Sequence, residues 1–175
     1  IYITYQNVRY RYTDGTFRKE QLPRGGGQWG LTSDNEGRVY YSTGGGENPA
    51  FFFQQPPIYG MFDASGQTTP DFRRVYPIAA VPDVQGGRRR VGSNGGLNAF
   101  TGCAGQGIYR GDRLPKELHG NLFIQEPVGR LIRRAHVTRE NGLTVLSNAN
   151  PGSEFIRAKD INFRPLGAET APDGS

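Results

Sequence analysis

Along most of the chain, apolar and polar residues alternate over short stretches separated by glycine, proline and asparagine. The pattern is plainest from Tyr109 to Val137, YRGDRLPKELHGNLFIQEPVGRLIRRAHV. Leu114-Pro115 predicts one helical turn, because proline at the first helical position gives up an N–H that had no partner anyway, and Gly120 ends it. Asn121 to Gln125 is an apolar run too short for a helix and predicts a buried strand. Pro127 and Gly129 predict a turn, and Arg130 to Val137 a second strand. In that strand Leu131, Arg133, Ala135 and Val137 share one face, with Arg130, Ile132, Arg134 and His136 on the other. The unit reads as an antiparallel hairpin.

The same grammar recurs along the chain. Ile1 to Tyr5 and Val8 to Tyr12 are aromatic and β-branched, and Thr13-Asp14-Gly15-Thr16 predicts a tight hairpin turn into Phe17 and beyond. Gln28 to Ser42, QWGLTSDNEGRVYYS, predicts a short strand, a polar turn over Ser33 to Gly37, and a strand from Arg38 to Tyr41. Gly44 to Pro57 carries Phe51, Phe52 and Phe53, which fit either a core or a contact surface. Ile58 to Phe62 and Phe72 to Tyr76 predict further strands. Pro77 to Cys103 loses periodicity and fills with Gly, Asn and Arg, as functional surface loops do. Asn141-Gly142 predicts a turn between Ala135 to Thr138 and Leu143 to Leu146, and Asn148 to Asp160 a connecting segment.

The close, FRPLGAETAPDGS, repeats the opening of Gln28 to Gly37: a short strand, then a polar turn closing on glycine. A weaker copy spans Gly107 to Glu126, with the helical turn enlarging the loop. Repeated small meanders predict an all-β fold built as a partial β-propeller, about two and a half blades where propellers typically need four to eight, with long Gly/Pro-rich loops and very little helix. A sandwich or open barrel is the alternative. On this reading residues 1–175 are a fragment of one larger propeller domain, truncated at both ends, and the rest of that propeller is its first partner.

Composition narrows the function. The 26 Gly and 12 Pro among 175 residues suit many turns and little helix. The net charge is +5, but apart from Arg88, Arg89 and Arg90 the basic residues are scattered, which argues against nucleic-acid binding. No apolar run reaches the roughly 20 residues of a membrane span. The single Cys103 rules out an internal disulfide and a multi-cysteine zinc site. Asp34, Asn35 and Glu36 form an ordinary polar turn rather than a Ca²⁺ loop. Arg110-Gly111-Asp112 reads as a turn, with Asp112 capping the helical turn beyond it. Glu126 ends a buried strand and calls for a partner, Arg130 or Arg133 across the turn.

Four stretches carry a resemblance: GGQWGLTSDNEGRVYYS, IYRGDRLPKELHGNLFIQEPVGRLIRRA, SNANPGSEFI and FRPLGAETAPDGS. Together they resemble the β-propeller of large secreted dehydrogenase-like proteins related to the pyrroloquinoline-quinone (PQQ) sugar and sorbosone dehydrogenases, many of which carry a c-type cytochrome domain. The resemblance implies a periplasmic or extracellular protein. It implies PQQ held with Ca²⁺ near the propeller axis, oxidation of a sugar or alcohol, and electrons passed to haem c. The Cys-x-x-Cys-His haem motif is absent, so haem would belong to another part of the protein. The reaction needs a base, commonly His, and cations to stabilise the reduced quinone. His119 and His136 are the only histidines and read as surface residues.

Propeller geometry puts ligands at the axial mouth, among the starts of the innermost strands and their loops. The candidate cofactor-binding residues there are Gln28, Trp29, Arg90, Asn94, Arg110 and Arg164, with arginine suited to carboxylate, phosphate or quinone oxygens. Each also fits a structural bond between blades. A quinone dehydrogenase segment and a noncatalytic propeller serving as scaffold or docking module are therefore both compatible with the sequence.

Overall fold

A computed structural model describes residues 1–3, 8–21, 29–42, 68–76 and 87–175. Among these the chain is all-β: ten strands and two single 3₁₀ turns. No helix of the described residues is long and apolar enough to cross a membrane. The expectations for Gly44 to Pro57, including Phe51 to Phe53, and for the strand Ile58 to Phe62 lie outside the described residues.

Strands β1 (Tyr2–Ile3), β2 (Val8–Thr13) and β3 (Thr16–Gln21) make a three-stranded antiparallel sheet. Its turn has positive φ at both Asp14 and Gly15, the mirror-image turn whose twist matches paired strands. Strands β4 (Trp29–Ser33) and β5 (Val39–Ser42) form a second hairpin. Asp34 closes it as a local hub. Its Oδ1 accepts the N–H groups of Glu36 and Arg38, and its Oδ2 accepts Arg38 Nε at 2.5 Å and Tyr40 Oη at 2.9 Å. The Asp34 to Glu36 turn is thus an ordinary one, satisfied by its own chain.

The third sheet organises the rest. Strands β6 (Gln106–Ile108), β7 (Leu122–Glu126), β8 (Leu131–Glu140) and β9 (Leu143–Asn148) run as a four-stranded antiparallel meander. The two-residue β10 (Ile156–Arg157) pairs the first part of β8, on the edge that β9 leaves open. The 3₁₀ turn Lys116–Leu118 lies between β6 and β7, with Pro115 before it and Gly120 at positive φ after it. This matches the expected enlarged loop, except that the turn has no side-chain cap and Asp112 lies against Gly174 instead. Asn141 and Gly142 both take positive φ and join β8 to β9.

One face of this sheet carries Leu122, Ile124, Leu131 and Ala135 into the core. There they meet Phe72, Val75, Leu97, Phe100, Cys103 and Tyr40. The expected strand from Phe72 to Tyr76 does not form. Pro70 and Asp71 open a turn in which Phe72 N–H reaches Thr69 C=O and Arg74 N–H reaches Asp71 C=O, spending on the turn the donors a ladder would use. The segment is tied to β9 through Thr69 N–H to Leu146 C=O, which delivers Phe72 to the core.

The segment Phe163 to Ser175 also departs from the expected strand. It runs beside β6 with scattered bonds, Gly105 N–H to Leu166 C=O at 2.7 Å and Arg110 N–H to Thr170 Oγ1 at 3.1 Å, rather than a ladder. The expected turn at Asp173-Gly174 does form, closed by Ala171 N–H to Ser175 C=O. Residues 166–168 and β4 both approach the β6 chain at a spacing that only glycine allows. A methyl at Gly30 of β4 would sit 2.5 Å from the Ala104 carbonyl, and one at Gly107 of β6 would overlap the Ala168 carbonyl. Gly107→Ala is expected to push residues 166–175 off β6 without unfolding the meander. Limited proteolysis should cut this segment at least ten-fold faster (about 1.4 kcal/mol of local opening) with the circular dichroism unchanged. Unchanged cutting would show that the approach is not tight.

Candidate functional site

The register sorts the sequence-predicted residues by position. β7 runs antiparallel to β6, so the turn after β7 lies at the start of β6, beside Ala104, whose N–H reaches Gln125 C=O. The hairpin Val91 to Leu97 joins this end, because Leu97 is buried and packs at Gly129. Arg90, Asn94 and Arg164 belong to this end. The backbone of Trp29 reaches it too, since Trp29 pairs with Ser42 and Ser42 Oγ donates to Cys103 C=O at 2.9 Å. Arg110 does not. It follows the far end of β6 and is exposed there. Gln28 lies outside the described residues.

Position alone does not make these residues a ligand cradle. Asn94 Oδ1 accepts Gly96 N–H at 3.0 Å and closes its own turn. Arg164 Nη1 donates to the carbonyls of Pro127 at 2.8 Å and Val128 at 3.3 Å, clamping the turn after β7. Arg90 stands with Arg89, Asn98 and Ala99 around an open recess of about 480 Å³. Asn98 holds that loop in shape, donating from Nδ2 to Arg89 C=O at 2.7 Å and from its N–H to Arg90 C=O at 3.0 Å. Two guanidinium groups at one recess suit a single anionic group.

Beneath this end lies a buried carboxylate. Glu126 is fully buried, and the sequence expectation that Arg130 or Arg133 partners it is incorrect. Its Oε2 accepts the N–H groups of Thr101 at 2.8 Å and Gly102 at 2.9 Å, and its Oε1 those of Val128 at 3.1 Å and Gly129 at 3.4 Å. Turn and loop chain bends so that four amides converge, and no cation is needed. Burial pushes the Glu126 carboxyl above its ordinary value against the pull of those amides. The Cys103 thiol, 3.7 Å from Oε2, is pushed well up by burial and by the carboxylate, so it stays a protonated, unreactive thiol.

Arg133 has gone to another partner. It is completely buried on the core face of β8. Its Nε donates to Glu154 Oε2 at 2.6 Å, its Nη2 to Glu154 Oε1 and to Arg74 C=O, and its Nη1 to Phe72 C=O. Phe100 and Phe72 stack near the guanidinium at 4.8 and 5.6 Å. Glu154 Oε1 also accepts Tyr76 N–H at 3.0 Å. The pair ties β8, the 72–76 segment and the connection after β9 into one unit. Sequence reasoning placed Arg133 on the apolar face, and the overlooked signal was the acid in SNANPGSEFI.

His119 and His136 are both exposed. Among the described residues no group of three His, Cys, Asp or Glu side chains comes together to hold a metal ion. A family model described as a domain of unknown function (DUF7133) matches residues 2–175. The comparison with curated proteins found no match, and neither did that with solved structures.

Proposed function

The chain belongs to the DUF7133 family, and we propose that it is part of a β-propeller of the quinone-dehydrogenase-like type, in which it serves as scaffold and binding surface. The observation that carries this reading is the meander β6 to β9, whose first strand is approached closely by Gly30 of β4 and by residues 166–168, which pack against Gly105 and Gly107. Radial sheets that share an axis place their innermost strands in this way, and small residues let them approach. The remainder of the same propeller is the partner that completes the ring.

PQQ is a flat tricarboxylate and calls for several cations around one plane. The described residues do not fit it: Arg110 stands at the opposite end from Arg90, while Arg164 and Asn94 are spent on the backbone. No catalytic step through the quinone, Ca²⁺ or haem is therefore assigned to them. In a protein that oxidises a sugar or alcohol and reduces a c-type cytochrome, these groups would be held by other residues. The alternative, that the described residues bind the quinone, has the arginine recess in its favour.

An absorbance spectrum of the intact protein from its native source, with metal analysis, separates the readings. The scaffold reading expects that Arg90→Gln leaves any quinone band and any sugar-driven haem reduction unchanged. Loss of the quinone chromophore in that variant would move the cofactor to this recess and overturn it.

A further inference from the structure

The loop that carries Arg88 to Arg90 is more ordered than its glycine content suggests. Arg90 N–H reaches Gly87 C=O and Val91 N–H reaches Arg88 C=O, each at 3.0 Å, so the three arginines sit on one 3₁₀ turn. Asn98 braces that turn from across the hairpin Val91 to Leu97, with its Nδ2 on Arg89 C=O and its N–H on Arg90 C=O. Leu97 and Phe100, both buried, root the loop in the core, and Glu126 holds the Thr101 and Gly102 amides just beyond. Arg89, Arg90, Asn98 and Ala99 thus line their open recess of about 480 Å³ from a backbone already bonded in place.

The charge of this recess is one-sided. Residues 84–111 contain no Asp or Glu. The ion pairs of the described residues lie elsewhere, on Glu20, Asp34, Glu36 and Glu154. Arg89 is exposed, and among the described residues its guanidinium pairs with no acid. Glu126, beneath the loop, is turned to four amides instead of a guanidinium.

We propose that the recess binds one tetrahedral oxyanion, a phosphate or sulfate group, through the guanidinium groups of Arg89 and Arg90. A carboxylate has two oxygens, which a single guanidinium fork already fills. A tetrahedral anion presents a further edge, so two forks borne on neighbouring positions of one turn can both engage it. A backbone held in advance by Asn98 lowers the ordering cost of that engagement. The recess is larger than the bare ion, and its open side leaves room for the organic group that carries the phosphate or sulfate. The inference goes beyond the scaffold reading and needs only this loop, so its failure leaves the propeller reading untouched.

Calorimetric titration of the intact protein with inorganic phosphate, inorganic sulfate and acetate tests this, at equal ionic strength set with chloride so that general screening is the same in each. Phosphate or sulfate should bind at least about ten-fold more tightly than acetate. Whichever of the two binds better identifies the group on the natural ligand. Arg89→Gln should weaken that binding at least about ten-fold with the circular dichroism unchanged, since Arg89 meets Asn98 only through its carbonyl. Ala99→Asp, which sets a carboxylate against the same guanidinium groups, should abolish it. Arg110→Gln, at the opposite end of β6, should change nothing. No binding of phosphate or sulfate, equal binding of all three anions, tighter binding of acetate, or an Arg89→Gln variant that binds as the parent does would each overturn the proposal.

Discussion

Arg133→Met should cost the folded protein about 3–5 kcal/mol, the range for removing one partner of a buried pair. The guanidinium is fully buried, holds both oxygens of Glu154 and satisfies the carbonyls of Phe72 and Arg74. Its loss leaves a buried carboxylate with only Tyr76 N–H and orphans two main-chain acceptors. Arg133→Lys should recover little, since a point charge cannot bridge four acceptors in one plane. Arg133→Met with Glu154→Gln should be less harmful than Arg133→Met alone, because the unpaired charge is gone. Urea unfolding followed by circular dichroism measures all three. A loss below about 1 kcal/mol in the single variant would mean that water reaches Glu154 and that the pair is not the tie described.

Glu126→Ala should cost about 3 kcal/mol or more, because it strands four N–H groups at once, those of Thr101 and Gly129 buried and those of Gly102 and Val128 half-buried. Glu126→Gln retains one acceptor oxygen and should lie between the alanine variant and the parent. The carboxyl also gives stability a pH dependence. Its folded value is raised above the ordinary 4.5 by burial, so the folded chain holds this proton more tightly than the unfolded chain does. Its contribution is complete below the unfolded value and is lost as pH rises through the folded one. Stability should therefore decline over that window, and Glu126→Gln, which does not titrate, should flatten the decline. Urea midpoints across the window test this; a parent that gains stability there through this residue would mean that the four amides outweigh burial.

Local turn chemistry made much of the fold legible. Asp14-Gly15 and Asn141-Gly142 demand positive φ at both positions and predict their hairpins with register. The pleat of β8 was readable from Leu131 to Ala135 because period-2 alternation needs no tertiary knowledge. What failed depended on distant partners. Phe72 looked like a strand residue by its apolar neighbours, but Pro70-Asp71 and the bond to β9 turn the chain there. Glu126 looked like half of an ion pair, since convergence of four amides from two separate bends leaves no mark in residue type. Of the candidate site, the loop-end position of Arg90, Asn94 and Arg164 was legible. Of the engagements with backbone, that of Asn94 is local and that of Arg164 depends on distant chain, and the placement of Arg110 at the opposite end followed only from strand direction.

The propeller reading requires β6 to be the innermost strand of a radial sheet. A density map of the intact protein by electron cryomicroscopy tests this directly. The expected map has β4, β6 and residues 166–170 side by side around a common axis, with β9 outermost. A map in which β6 lies in the outer layer of two stacked sheets would contradict the reading.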